Sequence, residues 1–358
     1  MSPHPLFGSS IQNLLQLLWK NGGVSWASSG QLTMAMGSAL ARAPLSIVEW
    51  MAYSRKLKQL EMKPPVFIVG HWRSGTTHIG NLLSKSPRFG FVSPVSTGLP
   101  HDLLILGRLL KPWLESSFPS DRLIDRVVVK ADSPQEDEFG VANMIPISFL
   151  HGLYFPKHFQ KNFSQGVFLD QCTSRQVDQW KKASIRFLKK VYLDQQQKQL
   201  LVRNPAYTTR IPLLRKMWPG ARFIHIYRDP YRVFPSMKNY FNKLLPAYAW
   251  QEYHHLDIEQ IVLATFKRMM GQLINDLAKT PSHEFIEIRY ESLVEDPIQQ
   301  LKMIYHHLDL SDFSQAQPQF EHYLNSIRGY TKNQYQQTQQ EQELISNHWG
   351  EIIEHYKY

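Results

Sequence analysis

Several short runs of the chain are apolar throughout instead of alternating. Val66-Phe67-Ile68-Val69 follows Pro64-Pro65 and ends at Gly70. A β-branched run of that length, bounded by proline and glycine, reads as a strand buried on both faces, as in parallel sheets. QLLVR at 199–203 and ARFIHIYR at 221–228 are two more buried-strand runs, while EFIEIRY at 284–290 and RFGFV at 88–92 are further strand candidates. Between them the spacing turns helical, over 76–83, over 208–218, and over 258–277, where Ile261, Val262, Thr265, Phe266, Met269, Leu273 and Leu277 make one core-facing stripe. A further helix starts at Glu295-Asp296-Pro297 and carries Leu301, Ile304, Tyr305 and Leu308. Strands alternating with helices over roughly 240 residues predict an α/β fold, a three-layer domain with a mostly parallel central sheet flanked by helices.

Residues 1–60 read as a helical, loosely apolar N-terminal extension, and 61–358 as the α/β domain. Ile11, Leu14, Leu15 and Leu18 share a helical face with Trp19 beside them, a stripe that packs on the domain or anchors at a membrane interface; a single nearby cation, Lys20, favours packing. The weakly polar run 32–53 is interrupted by Arg42, Pro44 and Glu49, so it falls short of the roughly 20 apolar residues of a spanning helix. Before its first apolar residues the chain has only His4 as a basic group, which speaks against a secretory leader. Ser133-Pro134-Gln135-Glu136 has the pattern of a helix start, with an N-cap serine, proline at the first position and a capping-box glutamate. The chain is Gln-rich from Ser311 onward, with a last helix expected over 342–358.

Charge narrows the choice of partner. Forty Lys and Arg against 30 Asp and Glu give +10 and an isoelectric point near 9.4, favouring an anionic partner: nucleic acid, an acidic membrane surface or a phosphorylated small molecule. One cysteine, Cys172, excludes an internal disulfide framework, which suits a reducing, cytoplasmic compartment. The His254-His255 and His306-His307 pairs lack carboxylate or cysteine partners at metal-ligand spacing and read as structural.

The chemistry is concentrated after the first strand. Gly70-His71-Trp72-Arg73-Ser74-Gly75-Thr76-Thr77 has the two glycines of a phosphate-cradling loop, yet Thr76 stands where G-x-x-x-x-G-K-[ST] has lysine, and the cation is Arg73. A strand running through a glycine turn into a helix aims backbone N–H groups and a helix N-terminus at one anion. Without that lysine, and without an evident metal-binding aspartate at a later strand end, a metal-free reaction on an adenylate-like ester is the more economical reading. The second piece is Arg228, at the end of its strand in Tyr227-Arg228-Asp229-Pro230, with Ser236 in the next helix; the pair can converge on one phosphate.

With these residues the chain resembles the sulfotransferases that use 3′-phosphoadenylyl sulfate (PAPS), in the branch with bacterial enzymes and the tyrosylprotein sulfotransferases. The resemblance rests on PPVFIVGHWRSGTTHIGNLL (64–83), PQEDEF (134–139), LVRNP (201–205), FIHIYRDPYRVFPSM (223–237) and IRYESLVEDP (288–297), and covers about residues 64–310. It implies a P-loop-like fold, PAPS as cosubstrate with no metal, and sulfuryl transfer to a hydroxyl acceptor, whether small molecule, lipid or carbohydrate. It also implies that Arg73, Ser74, Gly75, Thr76 and Thr77 hold the 5′-phosphosulfate and that Arg228 and Ser236 hold the 3′-phosphate. Arg203 sits where the tyrosylprotein branch has a lysine and is a candidate to touch the sulfuryl group.

The general base does not carry over. Residues 91–98, where that branch has its glutamate, contain neither a carboxylate nor a histidine. Glu136, Asp137 and Glu138 are the nearest candidates, with Glu136 or Glu138 favoured and His101 more distant, although Glu136 also fits a capping role and three adjacent acids also fit a solvated helix start. Tyr240 replaces a further arginine of the branch, which shifts weight onto Arg228, and Lys332 with Arg328 is a candidate flap over the nucleotide. Two other classes remain open at this point, a kinase or ATPase and a non-enzymatic basic binder of nucleic acid or membrane; the missing loop lysine speaks against the first and the absence of a nucleic-acid recognition pattern against the second. The expected partner is a small-molecule or lipid-like hydroxyl acceptor and not nucleic acid. The N-terminal helices are candidates for peripheral contact with the inner membrane surface.

Overall fold

A computed structural model describes residues 4–111, 133–328 and 337–358. The chain divides into two compact units, one of residues 1–63, 91–198 and 243–256, the other of 64–90, 199–242 and 257–358. The predicted N-terminal extension lies wholly in the first.

The second unit is built on a five-stranded sheet in the order β2-β3-β1-β4-β5, from β1 (Val66–Val69), β2 (Phe89–Phe91), β3 (Gln199–Arg203), β4 (Arg222–Tyr227) and β5 (Phe285–Arg289). β1 pairs in parallel with both β3 and β4, Phe67 lying opposite Val202 and Phe223, and β4 pairs in parallel with β5. Every residue of β1 is fully buried, which is why its sequence is apolar without alternation. On this sheet pack the helices Thr76–Leu83 and Pro297–His307, whose Ile79, Leu82, Leu83, Leu301 and Ile304 join Val66, Ile68, Ile224, Ile226 and Ile288 in one core. The helix Ile258–Leu277 buries Val262, Thr265, Phe266, Met269, Leu273 and Leu277 of the predicted stripe. Its Phe266 stacks on Trp349 of the helix Gln339–His355 at 4.0 Å, and the Trp349 indole donates to the Leu263 carbonyl. That last helix starts three residues before its predicted position because Thr338 caps it, in a reciprocal pair with Glu341.

Two other boundaries differ from expectation for local reasons. The helix expected over 208–218 is split into a 3-10 turn, Pro205–Thr209, and a helix, Ile211–Met217. Each piece has a proline in its first turn, where its missing N–H costs nothing. Ser133 does not cap a helix: Gln135 donates its N–H to the Val92 carbonyl, and the helix begins only at Glu138 and runs to Met144. Glu136 is therefore not a capping-box residue, and tertiary pairing has overridden a good local start signal.

The first unit is helical. Its longest element, Ser29–Gln59, contains Pro44 and turns Arg42 and Glu49 inward. Arg42 pairs with Asp102 at 2.5 Å and also donates to the Phe7 and Ser9 carbonyls; Glu49 pairs with the buried Lys190 at 2.6 Å and accepts from the Leu104 and Ile105 amides. Lys190 belongs to the helix Ser174–Asp194, which buries Trp180, Phe187, Leu188 and Val191 and is opened by a reciprocal cap between Thr173 and Gln176. Among the described residues no helix is long and apolar enough to cross a membrane.

Candidate active site

In the second unit β3, β1, β4 and β5 run parallel, so their carboxyl ends share one edge of the sheet. β1 lies between β3 and β4, with the order of strands reversing around it, the place where open α/β sheets take ligands. Residues predicted for the site sit at those ends: Gly70 follows β1, Arg203 ends β3 and Arg228 follows β4, while Arg289 and Tyr290 close β5.

The loop after β1 can be built only with glycine at both ends. Gly70 has φ 143° and Gly75 φ 105°; a Cβ on the first would lie 2.4 Å from the Ile226 carbonyl oxygen, and on the second 2.3 Å from the Tyr290 ring. Between them Arg73 takes φ 69°, a left-handed conformation costing a non-glycine residue about 1 kcal/mol or more. The turn is held by the Ser74 amide on the His71 carbonyl and by the Gly70 amide on Thr208 Oγ1 at 2.8 Å. The helix Thr76–Leu83 starts directly from Gly75 with no side-chain cap, so the amides of its first turn face what the loop encloses.

The two basic motifs meet at this loop. Arg73 Nε donates to Ser236 Oγ at 2.9 Å, joining the loop to the helix Pro230–Tyr248, and Arg228 Nη1 donates to the Arg73 carbonyl at 3.3 Å. The Arg228 guanidinium lies 4.5 Å over the Tyr290 ring, and its buried Nε makes no hydrogen bond among the described residues. Arg203 is buried, and its Nη1 donates to Thr77 Oγ1 at 2.7 Å. Ser74 and Thr76 are buried beneath the loop; Arg73, Thr77 and Arg228 are part-exposed. The guanidiniums of Arg73, Arg203 and Arg228, the hydroxyls of Ser74, Thr76, Thr77 and Ser236 and a helix N-terminus thus surround one loop, a composition that binds an anion carrying more than one charged oxygen group. His71 adds no charge: burial pulls it down to about 4, against the hydrogen bond to the Trp72 carbonyl, and its ring packs on Phe266.

The acidic candidates lie in the first unit. All three acids of PQEDEF are buried, Glu136 at 8%, Asp137 at 0% and Glu138 at 1% exposed, so they are not a solvated helix start. Glu138 Oε1 accepts the Phe149 amide at 3.3 Å. His101 shares the Asn143 carbonyl, and Asn143 donates in turn to the Pro5, Thr97 and Phe139 carbonyls, which makes that histidine part of a structural junction. Lys332 lies outside the described residues; Arg328 follows the helix Phe313–Ser326. Two contributors escaped the sequence reading, Thr208 beneath Gly70 and Tyr290 beneath Arg228. Tyr290 had a signal, since it ends a parallel strand as Arg228 does.

The comparisons agree with this geometry. Residues 64–315 match the model of the sulfotransferase family. The chain is 33% identical over 296 residues to omega-hydroxy-beta-dihydromenaquinone-9 sulfotransferase Stf3 of Mycobacterium bovis, covering 82% of this chain and 75% of that one. Sulfotransferase STF1 of Mycobacterium tuberculosis superposes with a TM-score of 0.67 at 18% identity, over 94% of this chain and 90% of the other. Sulfotransferase STF9 of Mycobacterium avium also gives 0.67, at 15% identity, over 97% and 96%. At those identities the two structures support the fold.

Proposed function

The chain belongs to the sulfotransferase family and is an enzyme that transfers a sulfuryl group to a hydroxyl acceptor; we propose that its donor is PAPS and its acceptor a lipid-like alcohol. The observation that carries the donor is the convergence of Arg73, Ser236 and Arg228 on one loop. The fit is that of a nucleotide with charged groups at both ends: uncapped amides and hydroxyls on one side, and on the other an arginine stacked on an aromatic ring, its Nε without a hydrogen bond among the described residues. The acceptor class is supported by the relative whose acceptor is a hydroxylated menaquinone, and peripheral contact with the inner membrane surface follows from that class.

PAPS supplies a sulfuryl group on a good leaving group. In an in-line transfer negative charge builds on the bridging oxygen and spreads over the sulfuryl oxygens. Arg73 and the amides of Ser74, Gly75, Thr76 and Thr77 would neutralise it, as a preorganised hole does for an oxyanion. Arg203 keeps the Thr77 hydroxyl oriented and adds a second positive charge. Arg228 and Ser236 would fix the 3′-phosphate. Among the acids Glu136 and Glu138 are the general-base candidates, and the Glu138 carboxylate accepts the Phe149 amide. Replacing the base by glutamine should lower kcat about 100-fold or more, whereas losing a carboxylate that only holds backbone should act on folding stability. Glu136→Gln and Glu138→Gln measured side by side assign the role, and an undiminished kcat in both rejects both.

The donor is tested with adenosine 3′,5′-bisphosphate, the nucleotide left after transfer. At 100 times its Kd it should stabilise the protein by about 2.7 kcal/mol, read as a rise in melting temperature. Arg73→Ala should remove most of that rise. Equal stabilisation of wild type and variant, or none of either, rejects the assignment.

A further inference from the structure

The helix Ser29–Gln59 is inside out. Between Ser29 and Ser54 the chain has two charged residues, Arg42 and Glu49, and both point inward to Asp102 and Lys190. The remaining buried positions on that stretch are the small Ala35 and Ala39. The outer face carries Met34, Leu40, Ile47, Val48, Trp50 and Met51, each about half or more exposed. From Met34 to Met51 this face runs about 26 Å along the helix. A helix whose outer face met only water would show the opposite distribution. The face ends in a basic cluster, with Arg55, Lys56, Lys58 and Lys63 all exposed and a single acid, Glu61, among them. Two more tryptophans in the segments before it, Trp19 at 85% and Trp26 at 92%, are among the most exposed large apolar side chains.

We propose that the outer face of this helix is a docking surface for an anionic lipid bilayer, lying in the plane of the interface. An uncharged apolar face supplies burial, tryptophans suit the headgroup level, and a basic cluster at its end supplies attraction to anionic headgroups; stable peripheral binding takes two such signals together. A second copy of the chain is the other occupant an apolar face could take. The basic end favours lipid, since four exposed cations gain from a surface of negative charge and nothing on this face offers a matching acidic cluster. The docking rests on the proposed lipid-like acceptor for its purpose: an enzyme whose acceptor stays in a bilayer gains from being held against it.

Full-length protein is mixed with phosphatidylcholine vesicles with and without phosphatidylglycerol, and bound protein is separated by flotation. Binding is expected to the anionic vesicles, to weaken as salt is raised, and to fall by roughly 10-fold or more in Ile47→Asp/Met51→Asp. Arg55→Glu/Lys56→Glu, which leaves the apolar face intact, should remove the preference for phosphatidylglycerol. The stabilisation by adenosine 3′,5′-bisphosphate should be the same in these variants as in wild type, which shows that they fold and separates this surface from the nucleotide site. Absence of binding to anionic vesicles, or binding that both variants retain in full, overturns the proposal. So does a wild-type dimer that Ile47→Asp/Met51→Asp converts to monomer. Vesicle binding without any nucleotide effect would leave the surface standing and remove the donor assignment.

Discussion

At the scale of single residues, the roles proposed for Arg228 and Ser236 can be separated from that of Arg73 by the chemistry of the ligand. Adenosine 3′,5′-bisphosphate and adenosine 5′-monophosphate differ only in the 3′-phosphate. Arg228→Lys keeps the charge but loses the planar fork and much of the stacking on Tyr290. It should weaken the bisphosphate roughly 10- to 100-fold and the monophosphate hardly at all; Ser236→Ala should do the same by about 10-fold. Arg73→Ala should weaken both. Titration calorimetry of the two nucleotides decides this, and equal losses for both ligands in the Arg228 variant would place that arginine elsewhere. Much of this constellation was legible in the chain because the loop after β1, Arg203 and Arg228 sit where strands end, positions marked locally by a change from apolar to polar or glycine, and Ser236 follows in the next helix. Thr208 was not, since a hydroxyl under a loop leaves no periodic mark, and Tyr290 was marked only by its place at the end of β5.

At the scale of elements, the sheet was readable because a strand buried on both faces is apolar at nearly every position: β1 is apolar throughout, and the buried middle of β4 is broken only by His225, which pairs with Glu287. The helix Ile258–Leu277 was readable because one of its faces is core. The helical character of Ser29–Gln59 was readable too, but which of its sides faces inward was not, because the residues that looked like interruptions of an apolar run are its inward side. Arg42 and Glu49 can be buried only because Asp102 and Lys190 complete them, and those partners are remote in sequence. The start at Ser133 failed for a related reason, a local cap signal losing to a pairing with Val92. Burial holds Lys190 below the usual lysine range even though Glu49 and its hydrogen bond act to raise it. Glu49→Gln should therefore cost about 3–5 kcal/mol, mainly by leaving a buried ammonium without its counter-charge. Glu49→Leu combined with Lys190→Met should recover most of it. Denaturant titration of the single and double variants tests this, and a double variant no more stable than the single one would show that the pair does more than neutralise itself.

At the scale of the whole molecule, the largest pH effect should come from histidines buried in the neutral form. Burial pulls His4, His71 and His101 down to about 4 and His151 to about 3, in each case against a hydrogen bond to a backbone carbonyl: Tyr248, Trp72, Asn143 and Ala142. In the unfolded chain all four titrate near the ordinary value of about 6.5. Below that value the unfolded state binds protons that the folded state refuses, so stability is full above it and is lost as pH falls towards 4. Four such groups give a limiting slope of about 5 kcal/mol per pH unit, and a loss on the order of 7 kcal/mol between pH 7 and pH 5. That is comparable to the whole stability of an ordinary domain, so acid unfolding should set in above the range where carboxylates titrate. Because His4, His101 and His151 belong to the first unit and His71 to the second, both should weaken over the same window. Unfolding free energy measured from pH 8 to pH 4.5 tests it: replacing His71 with Gln should lower the slope by about one proton, and a stability that stays flat from pH 7 to pH 5 would mean that these imidazoles are charged in the fold.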